Sequence, residues 1–367
     1  MDLAGADVVV MSYQIFKKDF IRVTSEFRHK PIFIICDEAA AIRNIRTQTY
    51  KAVRDLCRMP NKMFTLLSGT PVGNPVHGYA YISLINPTIY RDFRQFITIH
   101  VTSVDIFKQP NGFAHLDLLK ENLMRQAVRI RADDVLQLPP IQFVPVEYDL
   151  DPKHKRLYDR LVEEKLLVLE DEEVLDGTVA QRLYHSCQRL ILKAANGEKP
   201  QAFSLIDLML DELDIPLSGE KLIVFCNYQD SNKEIYSHLR QISGIGAVQA
   251  YGGLSPAASR RNLQQFLEDP AIHVLVGNPK TVGEGVDNCQ SVSRAILFLE
   301  LPLTGNVFQQ CIARVYREGQ KKHCVIKMAI ANGTIQQKLQ KSIISKEDVI
   351  QKVMPTKQTL RAALYGT

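Results

Sequence analysis

From Phe203 onward the chain alternates short apolar runs with amphipathic stretches, and that alternation limits the fold more than any other feature. The runs Lys221–Cys226, Val248–Tyr251, Val274–Val276, Ala295–Leu299 and Cys324–Ile330 have the length of strands and are apolar on both faces. Between them, Phe203–Leu213, Asp230–Ile242 and the segment holding Val307, Phe308, Cys311, Ile312 and Val315 space their apolar residues as helices do. Strands buried on both faces and joined by helices make a parallel sheet, so the expected class is α/β. The earlier half repeats the theme. Ala6–Tyr13, Pro31–Cys36 and Met63–Leu67 read as buried strands, with a helix over Gln14–Phe20. Residues 76–135 read as helices broken at Asn86-Pro87 and Pro110-Asn111-Gly112. Val144–Tyr148 reads as a short strand, followed by a charged helix from Pro152 and a basic helix over Arg182–Lys193. The acidic run Glu170–Glu173 reads as a solvated face. Ile335–Ile344 is expected as a last helix.

Polar residues collect at the ends of these runs. Asp37-Glu38 follows the second strand, and ligands of open α/β sheets bind beyond strand carboxyl ends. There Asp37 suits a magnesium ion carried on a nucleotide, and Glu38 suits orienting a water, although a solvated turn explains an acidic pair after a strand as well. Ser68-Gly69-Thr70-Pro71 closes the third strand as a tight hydroxyl-rich turn. Gly252-Gly253-Leu254-Ser255 precedes a helix that carries Arg260 and Arg261, a natural place for phosphate. Gly277–Asp287 is a glycine-rich bend holding Lys280, Thr281, Gly283 and Gly285. In the segment Gln310–Gln320, helix spacing puts Gln310, Arg314 and Arg317 on one stripe, with Gly319 as a stop signal. Two guanidiniums aimed together suit a triphosphate, although solvated arginines on an exposed helix explain the spacing equally well.

Taken in order, these segments resemble the motifs of the Swi/Snf-type branch of superfamily 2 helicase-like ATPases. Asp37-Glu38-Ala39-Ala40-Ala41-Ile42-Arg43-Asn44 is similar to D-E-A-x-x-x-K/R-N, and Ser68–Asn74 to S/T-G-T-P-x-x-N. Arg129–Pro140 resembles the R-R-x-K-x-x-V-x-x-x-L-P-P stretch, and Gln310–Gln320 the final Q-x-x-x-R-x-x-R-x-G-Q motif. The resemblance covers residues 6 to 345 or so and implies two RecA-like parallel-sheet lobes. It places the first lobe, with a helical protrusion, at 1–140, helical insertions at 141–200, the second lobe at 201–345 and a basic tail at 346–367. It implies ATP and Mg²⁺ as cofactors, with Asp37 as metal ligand and Glu38, Arg314 and Arg317 catalytic, Arg317 as the arginine finger. It further implies nucleotide contacts at Gly283, Gly285, Asp287 and Gln310, and coupling through Ser68, Gly69 and Thr70. DNA contacts are implied at Ser12, Tyr13, Asn227, Gly252, Gly253, Ser255, Lys280 and Thr281. One departure stands out: Ala40 occupies a position where the family carries His or Gln to link the nucleotide site to DNA.

Composition narrows the remaining classes. Hydrophobic residues make up 46% and charged residues 23%, as in an ordinary soluble protein, and no apolar run has membrane-spanning length. The N-terminus has no signal-peptide pattern, so an intracellular protein is expected. Seven cysteines are scattered without a C-x-x-C pair, which favours buried free thiols over disulfides, zinc or redox chemistry. A net charge of +5 permits nucleic-acid binding without requiring it.

No Gly-Lys-Ser or Gly-Lys-Thr occurs anywhere in the 367 residues. A P-loop needs that turn to hold the β- and γ-phosphates. The expectation is therefore a first lobe lacking its P-loop portion. Two readings follow: a DNA translocase completed by an upstream segment or partner chain, or a non-hydrolysing module that binds DNA or a partner protein.

Overall fold

The computed structural model describes residues 5–69, 72, 74–104, 110–128, 130, 136–164, 166–168, 174–176, 180–193, 199–283, 287–302, 305–337 and 340. The chain forms two compact units that divide between residues 129 and 130.

In the first unit β1 (Ile32–Cys36) pairs in parallel with β2 (Lys62–Leu66), Ile32 opposite Lys62 and Cys36 opposite Leu66. Alternation along the strand sends Ile32, Ile34 and Cys36 into a core built with Phe16, Val23, Ile42, Tyr50, Val53 and Leu56. Helices Tyr13–Lys18, Phe20–Phe27, Gln48–Cys57 and His77–Ile85 supply that core. On the other face Phe33, Ile35 and Met63 are 58%, 59% and 69% exposed. The expectation that Pro31–Cys36 is wholly buried is thus corrected, since only one face is covered. Ala6–Tyr13 is not a strand either: residues 8–12 take no regular structure, and Val8 and Val10 are exposed. A strand needs a ladder partner for its backbone groups, and β1 and β2 pair only with each other among the described residues.

The helical protrusion also differs from expectation. Helices Phe93–His100 and Leu116–Met124 flank an antiparallel hairpin, β3 (Val101–Val104) with β4 (Pro110–Phe113). Pro110-Asn111-Gly112 therefore belongs to a strand instead of breaking a helix. A β-branched run, Val101-Thr102, follows the first helix, and Pro is tolerated at a strand's first residue.

The second unit is a six-stranded parallel sheet ordered β5-β12-β11-β8-β10-β9. Its strands are β5 (Ile141–Tyr148), β8 (Lys221–Phe225), β9 (Ala247–Ala250), β10 (Val274–Gly277), β11 (Ser293–Phe298) and β12 (Cys324–Ala331). A small antiparallel pair, β6 (Leu166–Val168) with β7 (Val174–Asp176), lies between the first two in sequence. Leu222, Val224, Val274, Val276, Ala295 and Leu297 face one core with Leu190, Ile191, Ile206, Met209 and Leu239. Ile223, Phe225, Leu275, Ile296 and Phe298 face a second core with Phe266, Phe308, Cys311 and Val315. Both faces of the sheet are buried, as the continuous apolar runs require.

Residues 141–200 are therefore no separate insertion. β5 pairs with β12 from Ile141–Cys324 through Tyr148–Ala331, and helices Pro152–Glu164 and Ala180–Ile191 place Tyr158, Leu161, Leu190 and Ile191 in the first core. The acidic run at 170–173, most of the expected helix over 335–344 and the tail lie outside the described residues.

Candidate nucleotide and nucleic-acid site

The acidic turn of the first unit sits at the carboxyl end of β1. Asp37 and Glu38 are both exposed, and Asp37 Oδ1 accepts from the backbone N–H of Glu38 at 2.9 Å. Glu38 holds φ 47° and ψ 51°, a left-handed backbone that costs a non-glycine residue about 1–2 kcal/mol. Such strain persists only where the surroundings enforce it. Here they do: Leu67 N–H donates to Cys36 O at 2.9 Å, and Ala39 N–H donates to Leu67 O at 2.8 Å. These bonds stitch the acidic turn to the turn that begins at Ser68 and Gly69. Tyr81 Oη donates to Ala39 O at 3.2 Å from beneath.

Ser12 and Tyr13 lie beside this turn with internal partners. Ser12 caps the first helix by accepting from Ile15 N–H at 3.2 Å. Tyr13 Oη donates to Asp37 O at 2.7 Å, so it steadies the main chain of the acidic residue. Burial, then the neighbouring Cys36 and Asp37, push the Tyr13 hydroxyl far above its ordinary pKa and keep it a donor. His77 is held down to about 4, first by burial and then by the Arg43 charge. Thr70 lies outside the described residues.

In the second unit the arginines meet one acid. Arg317 Nη1 lies 2.7 Å from Asp287 Oδ1, and Arg314 Nη1 lies 3.8 Å from the same oxygen. Arg314 Nε also donates to Gln310 O at 3.3 Å. The expected single helix through Arg317 is corrected: the α-helix spans Gly305–Ile312 and tightens into turns, with Arg314 N–H donating to Cys311 O at 3.1 Å. Gln320 holds those turns, because its buried Nε2 donates to Val315 O, Ser293 O and Gln290 O at 3.1, 3.1 and 3.2 Å. Gly319, at φ 91°, takes a left-handed turn but lies seven residues beyond the helix end at Ile312, so it is not the helix stop its position suggested.

Gly283 is buried where Pro279–Gly283 packs beside Gln310 and Cys311; a Cβ there would stand 3.4 Å from Cys311 Sγ, close to ordinary contact. Gly285 lies outside the described residues. Lys280 is exposed, and Thr281 is half-buried behind it. Gly252, Gly253 and Ser255 form an exposed turn. Ser255 caps helix Pro256–Glu268 by accepting from Ala258 N–H at 3.2 Å. Arg260 and Arg261 extend from that helix into solvent. Asn227, implied as a DNA contact, is half-buried and spends its side-chain amide on Leu301 O at 2.8 Å.

Sequence reasoning overlooked Glu300. It is fully buried two residues beyond β11, and burial pushes its carboxyl up to about 7, against hydrogen bonds from Ser231 and Asn227. Its only signal was an acid inside an apolar run, Leu299-Glu300-Leu301. All seven cysteines are free and buried, as their spacing indicated. No helix among the described residues is long and apolar enough to cross a membrane.

A parallel α/β sheet ending in a glycine bend and an arginine turn, together with an acidic strand-end turn, defines a helicase-like ATPase core. The SNF2-related domain matches residues 1–268, and the chain belongs to that family. It is 23% identical to the DNA repair and recombination protein RAD54-like of Drosophila erecta, over 91% of this chain and 47% of that protein. It is 21% identical to an uncharacterized ATP-dependent helicase of Mycoplasma pneumoniae, over 95% of this chain and 33% of that protein. The SWI2/SNF2 ATPase core of Sulfolobus solfataricus in complex with dsDNA aligns at a TM-score of 0.43 and 19% identity, over 98% of this chain and 75% of that one. The chain thus spans less than half the length of these two sequence relatives.

Proposed function

We propose that the chain carries most of an ATP-dependent motor that moves along DNA inside the cell. The observation that carries this reading is the pairing of chemistries on one chain. An acidic turn is held in strained backbone on the first unit, and Arg317 and Arg314 converge on an exposed acid on the second. Asp37 would hold Mg²⁺ on the nucleotide phosphates. A single exposed carboxylate at a strand end suits an ion shared with phosphate oxygens. When bound, that ion neutralises phosphate charge. Glu38 orients the attacking water, and Arg317 leaves Asp287 to meet the charge that develops on the transferred phosphoryl group. Asp287, Gln310 and the glycine bend around Gly283 and Gly285 frame the nucleotide.

DNA is the partner this reading implies, and the names of the relatives support it. Gly252, Gly253, Ser255, Lys280 and Thr281 sit at exposed or half-exposed strand-end turns suited to backbone phosphate. Ser12, Tyr13 and Asn227 support such contacts through the turns they hold. Ser68 and Gly69, next to the Leu67 bonds that fasten their turn to the acidic turn, are with Thr70 the residues this reading assigns to coupling. The phosphate cradle comes from another segment or chain, because no Gly-Lys-Ser or Gly-Lys-Thr is encoded here. The apolar face of Phe33, Ile35 and Met63, beside a cavity of 810 Å³ lined by Ile32–Asp37 and Ala6–Met11, is a surface such a segment would cover. Ala40, which has no polar side chain to link ATP to DNA, favours a second reading: a non-hydrolysing module that binds DNA or a partner.

Duplex DNA affinity across a salt series tests the first step. Contacts from lysine and arginine release counterions, so affinity falls about tenfold or more from low to physiological salt, with little sequence preference. A flat salt response would remove the DNA reading.

A further inference from the structure

Glu300 stands at the carboxyl edge of the six-stranded sheet with no exposed surface. Its Oε1 accepts from the Ser231 hydroxyl at 2.7 Å, and its Oε2 accepts from the backbone N–H of Asn227 at 2.5 Å. Asn227 passes the connection on. Its side-chain amide donates to Leu301 O at 2.8 Å, and its own carbonyl accepts from Asn278 Nδ2 at 2.5 Å. Asn278 then uses Oδ1 to accept from the backbone N–H of Lys280 at 3.0 Å, and its carbonyl accepts from Thr281 N–H at 3.0 Å. One continuous path of hydrogen bonds therefore joins the turns after β8, β10 and β11. It ends on the exposed Lys280.

Burying a carboxylate is costly, and an apolar side chain of similar size would fill the same space without that cost. A carboxyl group can accept from several donors at once and so orient them, which an apolar side chain cannot; Ser231, Asn227 and the backbone N–H of Tyr228 converge on this one. The groups whose charge or polarity reaches Glu300 are Tyr148 from β5, Tyr184 and Arg189 from helix Ala180–Ile191, and Cys226 and Tyr228 after β8. Of these, Tyr228 also joins the start of the path, since its backbone N–H bonds Glu300 next to that of Asn227.

We propose that Glu300 is a positioning residue that sets, through Asn227 and Asn278, the Lys280–Thr281 turn for the phosphate backbone of DNA. The role of the turn rests on the DNA reading above; the hydrogen-bonded path does not. Amide hydrogen exchange and DNA binding on the whole chain therefore separate the two claims.

In Glu300→Leu, the amides of Asn227, Lys280 and Thr281 exchange about tenfold faster or more, while those of β8 and β12 keep their protection. Glu300→Gln keeps the shape and one acceptor and exchanges about threefold faster at the same amides. It is the variant to read if Glu300→Leu loses protection throughout the sheet. Unchanged exchange at 280 and 281 in Glu300→Gln and in any folded Glu300→Leu overturns the proposal. A duplex-DNA mutant cycle with Lys280→Ala gives the second readout. Action through Lys280 makes the two losses non-additive, whereas a general loss of stability adds. Additive losses overturn the positioning role. Faster exchange at 280 and 281 in the variants, beside a wild-type chain that shows no salt-dependent DNA binding, keeps the path and removes DNA as its purpose.

Discussion

The two units present sheets in opposite situations. β8 and β10 of the second are buried along their whole length between two cores, whereas β1 and β2 of the first cover one face and leave Phe33, Ile35 and Met63 to solvent. A parallel sheet buried on both faces is rigid, and it places its strand-end turns reproducibly. The acidic turn of the first unit has a thinner foundation. It is held by the Leu67 bonds and by the hydroxyls of Tyr13 and Tyr81. The difference teaches that the arginine turn of the second unit is built into a finished core, whereas the acidic turn of the first stands on a sheet with an open face.

The largest effect expected is catalytic. In a preparation that hydrolyses ATP, Arg317→Ala lowers turnover by about 10³–10⁵-fold, because an arginine finger acts on transition-state charge, while DNA affinity changes little. Glu38→Gln also suppresses turnover and leaves ATP binding in place. Steady-state turnover beside DNA binding checks both, and unchanged turnover in Arg317→Ala returns that residue to a solvated turn.

A stability contrast comes next. Phe298 is wholly buried between Phe225 and Phe308, and Phe298→Ala should cost about 3–5 kcal/mol of second-unit stability in denaturant unfolding. Phe33→Ala, on the open face, should change stability by less than about 0.5 kcal/mol. A large loss at Phe33 would show that its face is covered in solution.

How far the sequence foretold this contrast depends on where the information lies. β8 to β12 of the second unit were legible to within two residues, because a strand buried on both faces writes itself as an uninterrupted apolar run; β5 begins three residues before the expected Val144, and the short pair β6 and β7 was not foreseen. The place of β5 was not legible: pairing Ile141–Tyr148 with Cys324–Ala331 joins residues far apart in sequence. Ala6–Tyr13 carries a strand's composition and still forms none, since composition cannot supply a ladder partner. Arg314 and Arg317 kept their common direction although the helix ends at Ile312, because turns stabilised by Gln320 carry them to the same acid. Glu300 escaped notice because its importance lies in its partners, Ser231 and Asn227, and neither is near it in sequence.

Acid sharpens the comparison with smaller, opposed effects. The pKa of Glu300 is raised to about 7 by burial, so its contribution is fully present below about pH 4.5 and is lost as pH rises through 7. The pKa of His77 is lowered to about 4, so its contribution is present above about pH 6.5 and is lost as pH falls toward 4. Unfolding followed separately in each unit between pH 4 and 8 should show the Glu300 component absent in Glu300→Gln and the His77 component absent in His77→Phe. The same pH slope in variant and wild type would contradict either assignment.

ATP turnover by the purified 367-residue chain tests the central claim most directly, measured with and without duplex DNA and then again with an added N-terminal fragment bearing a Gly-Lys-Thr turn. The account predicts no appreciable turnover by the chain alone and DNA-stimulated turnover once the fragment is present, because on the proposed reading Asp37 needs phosphates held by a Gly-Lys-Ser/Thr turn, and no such turn occurs in the sequence. Robust DNA-stimulated turnover by the monodisperse chain alone would contradict it.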